Sequence, residues 1–187
     1  MRPTRHLAAT CLALAAACPP AIAAEGASAR YDFLANTLWY VPTGTLPAVM
    51  LDPAAGTYTG IVDQTVWSIE SYTAGYFHGI AAVLLKAAGR PIAPVQCMRM
   101  LGSVTPDGDV QVSFVPKADT DAANATYGTG KLAFDGRRWH FTMQMGSGGA
   151  SLVAHWSYMD RCTAGEACAS RLPGTGRPIE DLVSRCR

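Results

Sequence analysis

The sequence predicts an all-β fold, and within that class an eight-stranded antiparallel up-and-down barrel. Three observations carry the expectation. Between Leu38 and Met159 apolar and polar residues alternate at a period of two, with little helical period. Turn residues break that alternation at short intervals, and Pro106-Asp107-Gly108 and Asp135-Gly136 each place a glycine where a hairpin needs positive φ. A meander of consecutive antiparallel strands also exposes two edges of unpaired backbone groups unless it closes on itself. The composition agrees: 187 residues with 18 glycines, 49% hydrophobic and 16% charged, describe one packed, turn-rich domain.

The chain opens with a segment that the barrel does not need. Arg2, Arg5 and His6 precede the apolar run Leu7 to Ala17, and Pro19-Pro20 break it before Ala21-Ile22-Ala23. This is the layout of a secretory signal peptide over residues 1–23, with an apolar run too short to span a bilayer. The expected location is periplasmic or secreted. Ala15-Ala16-Ala17 before Cys18 offers a rival, lipidated N-terminus, but Pro19 directly after the cysteine and Ala15 three positions before it count against that. The single barrel domain then covers residues 24–187, with a helical tail over 161–187.

Within it, Ser28 to Asn36 reads as a short helix with Ser28 as its N-cap, leading into Trp39. Counting outward from the turns gives strands near 37–41, 64–71, 76–86, 95–104, 109–116, 125–134, 137–145 and 150–160. Residues 42–61 are rich in Pro, Gly and Thr and carry Leu46, Val49, Met50 and Leu51, which reads as a long first loop lying over a barrel mouth. The tail from Pro178 to Arg185 reads as a short helix with proline at its first position.

Directly opposed residues of a hairpin share a face, which lets the register be tested. The Pro106-Asp107-Gly108 turn sets Met100 against Phe114, Gly102 against Val112 and Val104 against Val110. The Asp135-Gly136 turn sets Leu132 against Trp139 and Gly130 against Phe141. A turn over Gly146 to Gly149 sets Trp139 against Trp156, Phe141 against Ala154 and Met143 against Leu152. That apolar face is the expected interior, and Lys131, His140, His155, Gln144, Ser151, Arg99, Gln111 and Ser113 fall on the solvent face. A four-residue turn over Tyr72 to Gly75 sets His78 opposite Ile69, inside.

Without Cys11 and Cys18, four cysteines remain in an exported chain: Cys97, Cys162, Cys168 and Cys186. An oxidising compartment turns an even count into two disulfides, and three pairings are open. Cys162 with Cys168 closes a short loop, and Cys97 with Cys186 ties the tail helix to the barrel exterior; this pairing is favoured.

The layout resembles the lipocalin and wider calycin group: Leu38-Trp39-Tyr40 at the first strand, a long first loop, Arg161 just after the last strand and a C-terminal helix fixed outside. The resemblance implies an eight-stranded barrel with a possible ligand cavity, and an Arg161 that packs over Trp39. It departs at Asn36, where the family's glycine is expected, and in having only Asp135-Gly136 where a Thr-Asp-Tyr type motif belongs.

Lys+Arg of 15 against Asp+Glu of 14 excludes a nucleic-acid partner held by bulk charge. No zinc-spaced cysteine cluster, phosphate loop, dinucleotide fingerprint or Gly-x-Ser-x-Gly occurs, so neither metal nor cofactor is expected. His140 and His155 would be opposed but lack a third ligand and have Lys131 beside them. Glu70 and Asp63 are acids near the mouth without a spacing that fixes a pair. The expected function is binding of a small apolar molecule by Trp39, Trp67, Tyr76, His78, Met98, Met100, Trp139 and Met143. His78 would orient the ligand and the thioethers adapt to it. Two alternatives stand beside it. One is a cell-envelope protein-binding module or enzyme inhibitor using a patch around Leu46 to Leu51. The other is a cofactor-free isomerase or decarboxylase, which needs His78, Tyr76 or Glu70 to converge in a pocket.

Overall fold

The computed structural model describes residues 29–42, 47–88, 90–91, 94–117, 125–147, 152–162, 172 and 176–187. A 3-10 helix, Ala29–Leu34, leads into β1 (Thr37–Tyr40), β2 (Pro47–Asp52), β3 (Thr57–Thr73), β4 (Tyr76–Ala87), β5 (Arg90–Pro91), β6 (Gln96–Val104), β7 (Asp109–Pro116), β8 (Thr126–Phe134), β9 (Trp139–Ser147), β10 (Leu152–Cys162) and α1 (Ile179–Ser184). The antiparallel sheet closes into a barrel of eight strands.

The first barrel strand is built in two pieces. Tyr40 pairs with Val66 at the end of the β1 ladder and Pro47 with Val62 at the start of the β2 ladder, both on β3. Both pieces also pair with β10. Residues 47–61 are therefore not the expected first loop: β2 and the first residues of β3, Thr57 to Val62, form a hairpin that lengthens the wall. Its tip is an Asx turn, where Asp52 Oδ1 accepts the N–H groups of Ala54 and Ala55 and Gly56 takes φ 64°.

The β6–β7 hairpin has the expected register, with Met100 against Phe114, Gly102 against Val112 and Val104 against Val110. Three other registers differ. Leu132 faces Phe141 rather than Trp139, a two-residue shift that keeps the same face inward. β9 runs on to Ser147, so His155 pairs with Met145 and Trp156 with Gln144. That shift is odd, and it turns His155 inward and leaves Trp156 51% exposed. Between β3 and β4 the turn has two central residues, Ala74 at φ 50° and Gly75 at φ 91°, and a bulge sits at Glu70 between Ile69 and Ser71. Gly79 then opposes Ile69, and His78 is exposed on the outer face, correcting its inward placement.

One end is sealed. Tyr31 of the 3-10 helix donates to the Pro106 carbonyl at 3.1 Å, and the Trp39 indole donates to Thr37, whose hydroxyl donates to the Leu34 carbonyl. Above this plug Trp39, Phe141, Trp67, Phe77 and Phe114 stack with centroid separations of 4.5 to 6.3 Å. The methionines fill what glycines leave: a Cβ at Gly128 would lie 2.1 Å from Met145 Sδ, and one at Gly130 2.6 Å from Met143 Sδ.

A second apolar cluster lies outside the barrel. Val66, Ile80 and Ala82 on the outer faces of β3 and β4 are covered by Leu172 and by Ile179, Leu182 and Val183 of α1. Cys97 of β6 is disulfide-bonded to Cys186, as the sequence favoured, and so pins the helix. Cys162 is buried in the same cluster, while its expected partner Cys168 lies outside the described residues, as do Ser28 and the proposed signal peptide.

Candidate binding cavity

Above the aromatic stack the barrel is hollow. A cavity of about 990 Å³ extends from Trp67 and Phe114 toward the end where β2 meets β3 and β7 leads to β8, and continues over the rim to the outer side at Cys97, Cys186 and Arg187. Its walls are mainly apolar, with Val41, Val83, Met98, Met145 and Met159 among them. Val83, Met98, Met145 and Met159 point inward because they hold the inward parity of β4, β6, β9 and β10.

A polar patch interrupts the apolar wall. Ile61, Asp63, Thr65, Trp67 and Ile69 share one parity of β3, so two polar side chains enter the same face as the core. Asp63 to Thr65 lie at the step between the β1 and β2 ladders. The Thr65 hydroxyl donates to Asp63 Oδ1 at 2.6 Å, and Asp63 Oδ2 lies 3.5 Å from His155 Nδ1. Ser157 follows on the same face of β10 and lines the cavity. The Asp63 side chain is only 3% exposed, and burial pushes its carboxyl above the ordinary aspartate range, partly opposed by His155 and by the Thr65 hydrogen bond. A carboxylate and an imidazole in a largely apolar cavity can anchor and orient a polar group, and can share or pass a proton.

Of the eight residues expected to bind a ligand, Trp67 and Met98 line this cavity. Trp39, Met100 and Met143 belong to the packed core, and Trp139 lies at the sealed end against Tyr31 and Phe33. Tyr76 and His78 are on the outer face, Tyr76 at 65% exposure, and His78 shares a shallow outer groove with Glu70 and Arg99. The expected convergence of His78 and Tyr76 inside the barrel, which the isomerase alternative needed, is thus corrected by the bulge at Glu70. His140 and His155 are not opposed either: His140 pairs with Asp160 and stacks on Tyr158 at 4.8 Å on the outer side. Arg161 is opposite Trp39 in the ladder, but its guanidinium lies over the Phe33 ring, 5.1 Å from the centroid.

Asp63 and His155 are the site residues that sequence reasoning assigned elsewhere. For Asp63 the signal was present, an acid at the parity of Ile61, Trp67 and Ile69. For His155 it was hidden in the length of the β9–β10 connection. Among the described residues no group of three or more His, Cys, Asp or Glu is placed to hold a metal ion.

Set against protein-family models, curated proteins and solved structures, the chain matches none of them.

Proposed function

We propose that this protein is an exported barrel that binds one small, mostly apolar molecule inside its wall. The observation that carries the reading is the cavity of about 990 Å³, walled by methionines and valines above Trp67 and Phe114. Its size suits a small-molecule site, and apolar walls with a few convergent polar groups are the usual composition of one. Met98, Met145 and Met159 give it walls that adapt to shape. Export rests on the leader-like residues 1–23 and on the Cys97–Cys186 disulfide, which needs an oxidising compartment to persist. No helix among the described residues is long and apolar enough to cross a membrane.

Uptake of the neutral dye Nile red, read by its blue-shifted emission, tests the reading. Wild-type protein should take up the dye with saturation, and Val83→Trp, which fills the cavity from β4, should abolish uptake while the protein stays folded by circular dichroism. Equal uptake by both proteins would place the dye elsewhere and defeat the proposal.

A second reading has its own observation. On the outer face Leu51 lies between Tyr58 and Leu152, and Val49, Ala154, Gly146 and Tyr127 run across four neighbouring strands, with Trp156 beside them. Val49, Tyr58, Tyr127, Leu152 and Trp156 are all exposed. An apolar stripe on a sheet face suits a protein partner, and binding lost in Trp156→Lys but kept in Val83→Trp would favour it.

A further inference from the structure

Among the described residues that line the cavity, Asp63 is the one acid, and the wall around it supplies no bonded counter-charge. Its side chain is 3% exposed. Oδ1 accepts the hydrogen of the Thr65 hydroxyl, a neutral donor. His155 Nδ1 stands 3.5 Å from Oδ2, beyond ordinary hydrogen-bond length, and is buried without a hydrogen-bond partner among the described residues. A buried carboxylate in an apolar setting needs a cation. We propose, on the cavity-binding reading above, that Asp63 pairs with the ammonium head of an amphiphilic primary amine whose apolar tail lies against Trp67, Met98 and Phe114.

The cations that touch the same cavity belong to its outer side. Lys117 Nζ donates to the Cys186 and Arg187 carbonyls at 2.6 and 3.5 Å. Arg187 Nη2 donates to Ser68 Oγ at 3.5 Å, and Ser68 has the outward parity of β3, opposite to that of Asp63 and Trp67. Arg185 is the C-cap residue of α1, which packs on the outer wall. Inside the barrel, Asp63 with His155 beside it is what a charged ligand head meets.

The complex is the same whichever partner brings the proton. An ammonium can meet the carboxylate, or a neutral amine can take the proton that burial keeps on the carboxyl; both routes end as ammonium and carboxylate with no proton left over. An ammonium has three hydrogens to give. Beyond Asp63, acceptors stand on the same inward faces: Thr65, whose own hydrogen is spent on Asp63, and Ser157 of β10. A carboxylate head would set two acids side by side, of which only one can ionise. An alcohol can donate one hydrogen but forms no ion pair.

Displacement of Nile red from the full chain by decylamine, decanol and decanoate, at neutral pH and below micelle formation, compares three heads on one tail. Decylamine should displace the dye at a concentration about tenfold lower than decanol, with decanoate the weakest. Asp63→Asn should bring decylamine to the level of decanol, each referred to that variant's own dye affinity, and Asp63→Glu, which keeps the acid, should recover part of the preference. The wild-type ranking needs no variant. Equal displacement by decylamine and decanol, or stronger displacement by decanoate, overturns the amine assignment and leaves the cavity reading standing. An amine preference that survives intact in Asp63→Asn also overturns it, because the head would then be held elsewhere. Absence of dye uptake by the wild type overturns both.

Discussion

Asp63 Oδ2 lies 3.5 Å from His155 Nδ1 although the strands that carry them, β3 and β10, are separated in the sheet by β2. The inward residue of β2 at this level is Ala48, paired with Ile61 on one side and His155 on the other. Its short side chain leaves the imidazole free to reach along the wall toward Asp63. Any larger residue at position 48 would stand between the two.

Asp63 should impose a pH dependence of a definite sign. Burial holds its carboxyl above the ordinary 3.8, so the folded protein retains this proton more tightly than the unfolded chain does. The contribution to stability is then fully present below that ordinary value and is lost as pH rises through the folded value. Asp63→Asn keeps an acceptor for Thr65 and cannot ionise. In thermal melts its Tm relative to wild type should rise between pH 4 and pH 7. A relative Tm that falls over this range would mean that His155 stabilises the carboxylate by more than burial penalises it.

Two glycines that look alike in sequence should behave differently on substitution. A Cβ at Gly79 would sit 1.9 Å from the Ser68 carbonyl oxygen and 3.1 Å from the Glu70 backbone nitrogen, atoms that cannot move without breaking the ladder beside the bulge. One at Gly60 meets nothing within 4 Å. Gly79→Ala should lose about 3 kcal/mol in urea unfolding, at or beyond the usual overpacking penalty, whereas Gly60→Ala should change stability by less than about 0.5 kcal/mol.

Much of the barrel was legible because the β6–β7 turn type is set by three residues and its register follows. The first strand was not, because Pro47 to Asp52 takes one of its two partners, Leu152 to His155, from far along the chain, and the Pro-, Gly- and Thr-rich residues around it read locally as loop. His78 and His155 show how the site was missed. One unpaired residue at Glu70 and a β9 that runs on to Ser147 each shift a register by an odd number, and an odd shift exchanges inside for outside for every later residue of the strand. Trp67 and Met98 face inward as expected, Met98 because the β6–β7 register did not change and Trp67 because its parity is that of Ile61 and Ile69 on its own strand, ahead of the bulge.

The Cys97–Cys186 disulfide should matter more for the tail than for the barrel. It closes a loop of 89 residues, and in the chain-entropy view a loop of that size contributes about 4.6 kcal/mol, an upper value. The double variant Cys97→Ser with Cys186→Ser should lower stability by about 2 to 4 kcal/mol in urea. Hydrogen exchange should rise first in α1 and at Ile80 and Ala82, which the helix covers. Equal acceleration at Phe141 and Met143, inside the barrel, would show that the helix and the core unfold as one unit.

At the sealed end the test concerns which ring Arg161 serves. Its guanidinium carbon is 5.1 Å from the Phe33 centroid, while Trp39 faces Arg161 across the ladder and gives its indole hydrogen to Thr37. Arg161 Nε is buried without a hydrogen-bond partner among the described residues, so the residue carries an uncompensated polar group alongside its cation–π contact. Arg161→Met removes both, and the single variant should therefore change stability little. A double-mutant cycle separates the two terms, because the burial penalty appears in each leg and cancels. Coupling between Arg161→Met and Phe33→Leu should be about 0.5 to 1 kcal/mol in favour of the native pair. Coupling between Arg161→Met and Trp39→Phe should be smaller. If the larger coupling fell on Trp39, the guanidinium would pack in solution as the lipocalin resemblance implied, and the plug formed by Phe33 and Tyr31 would be held by ring stacking alone.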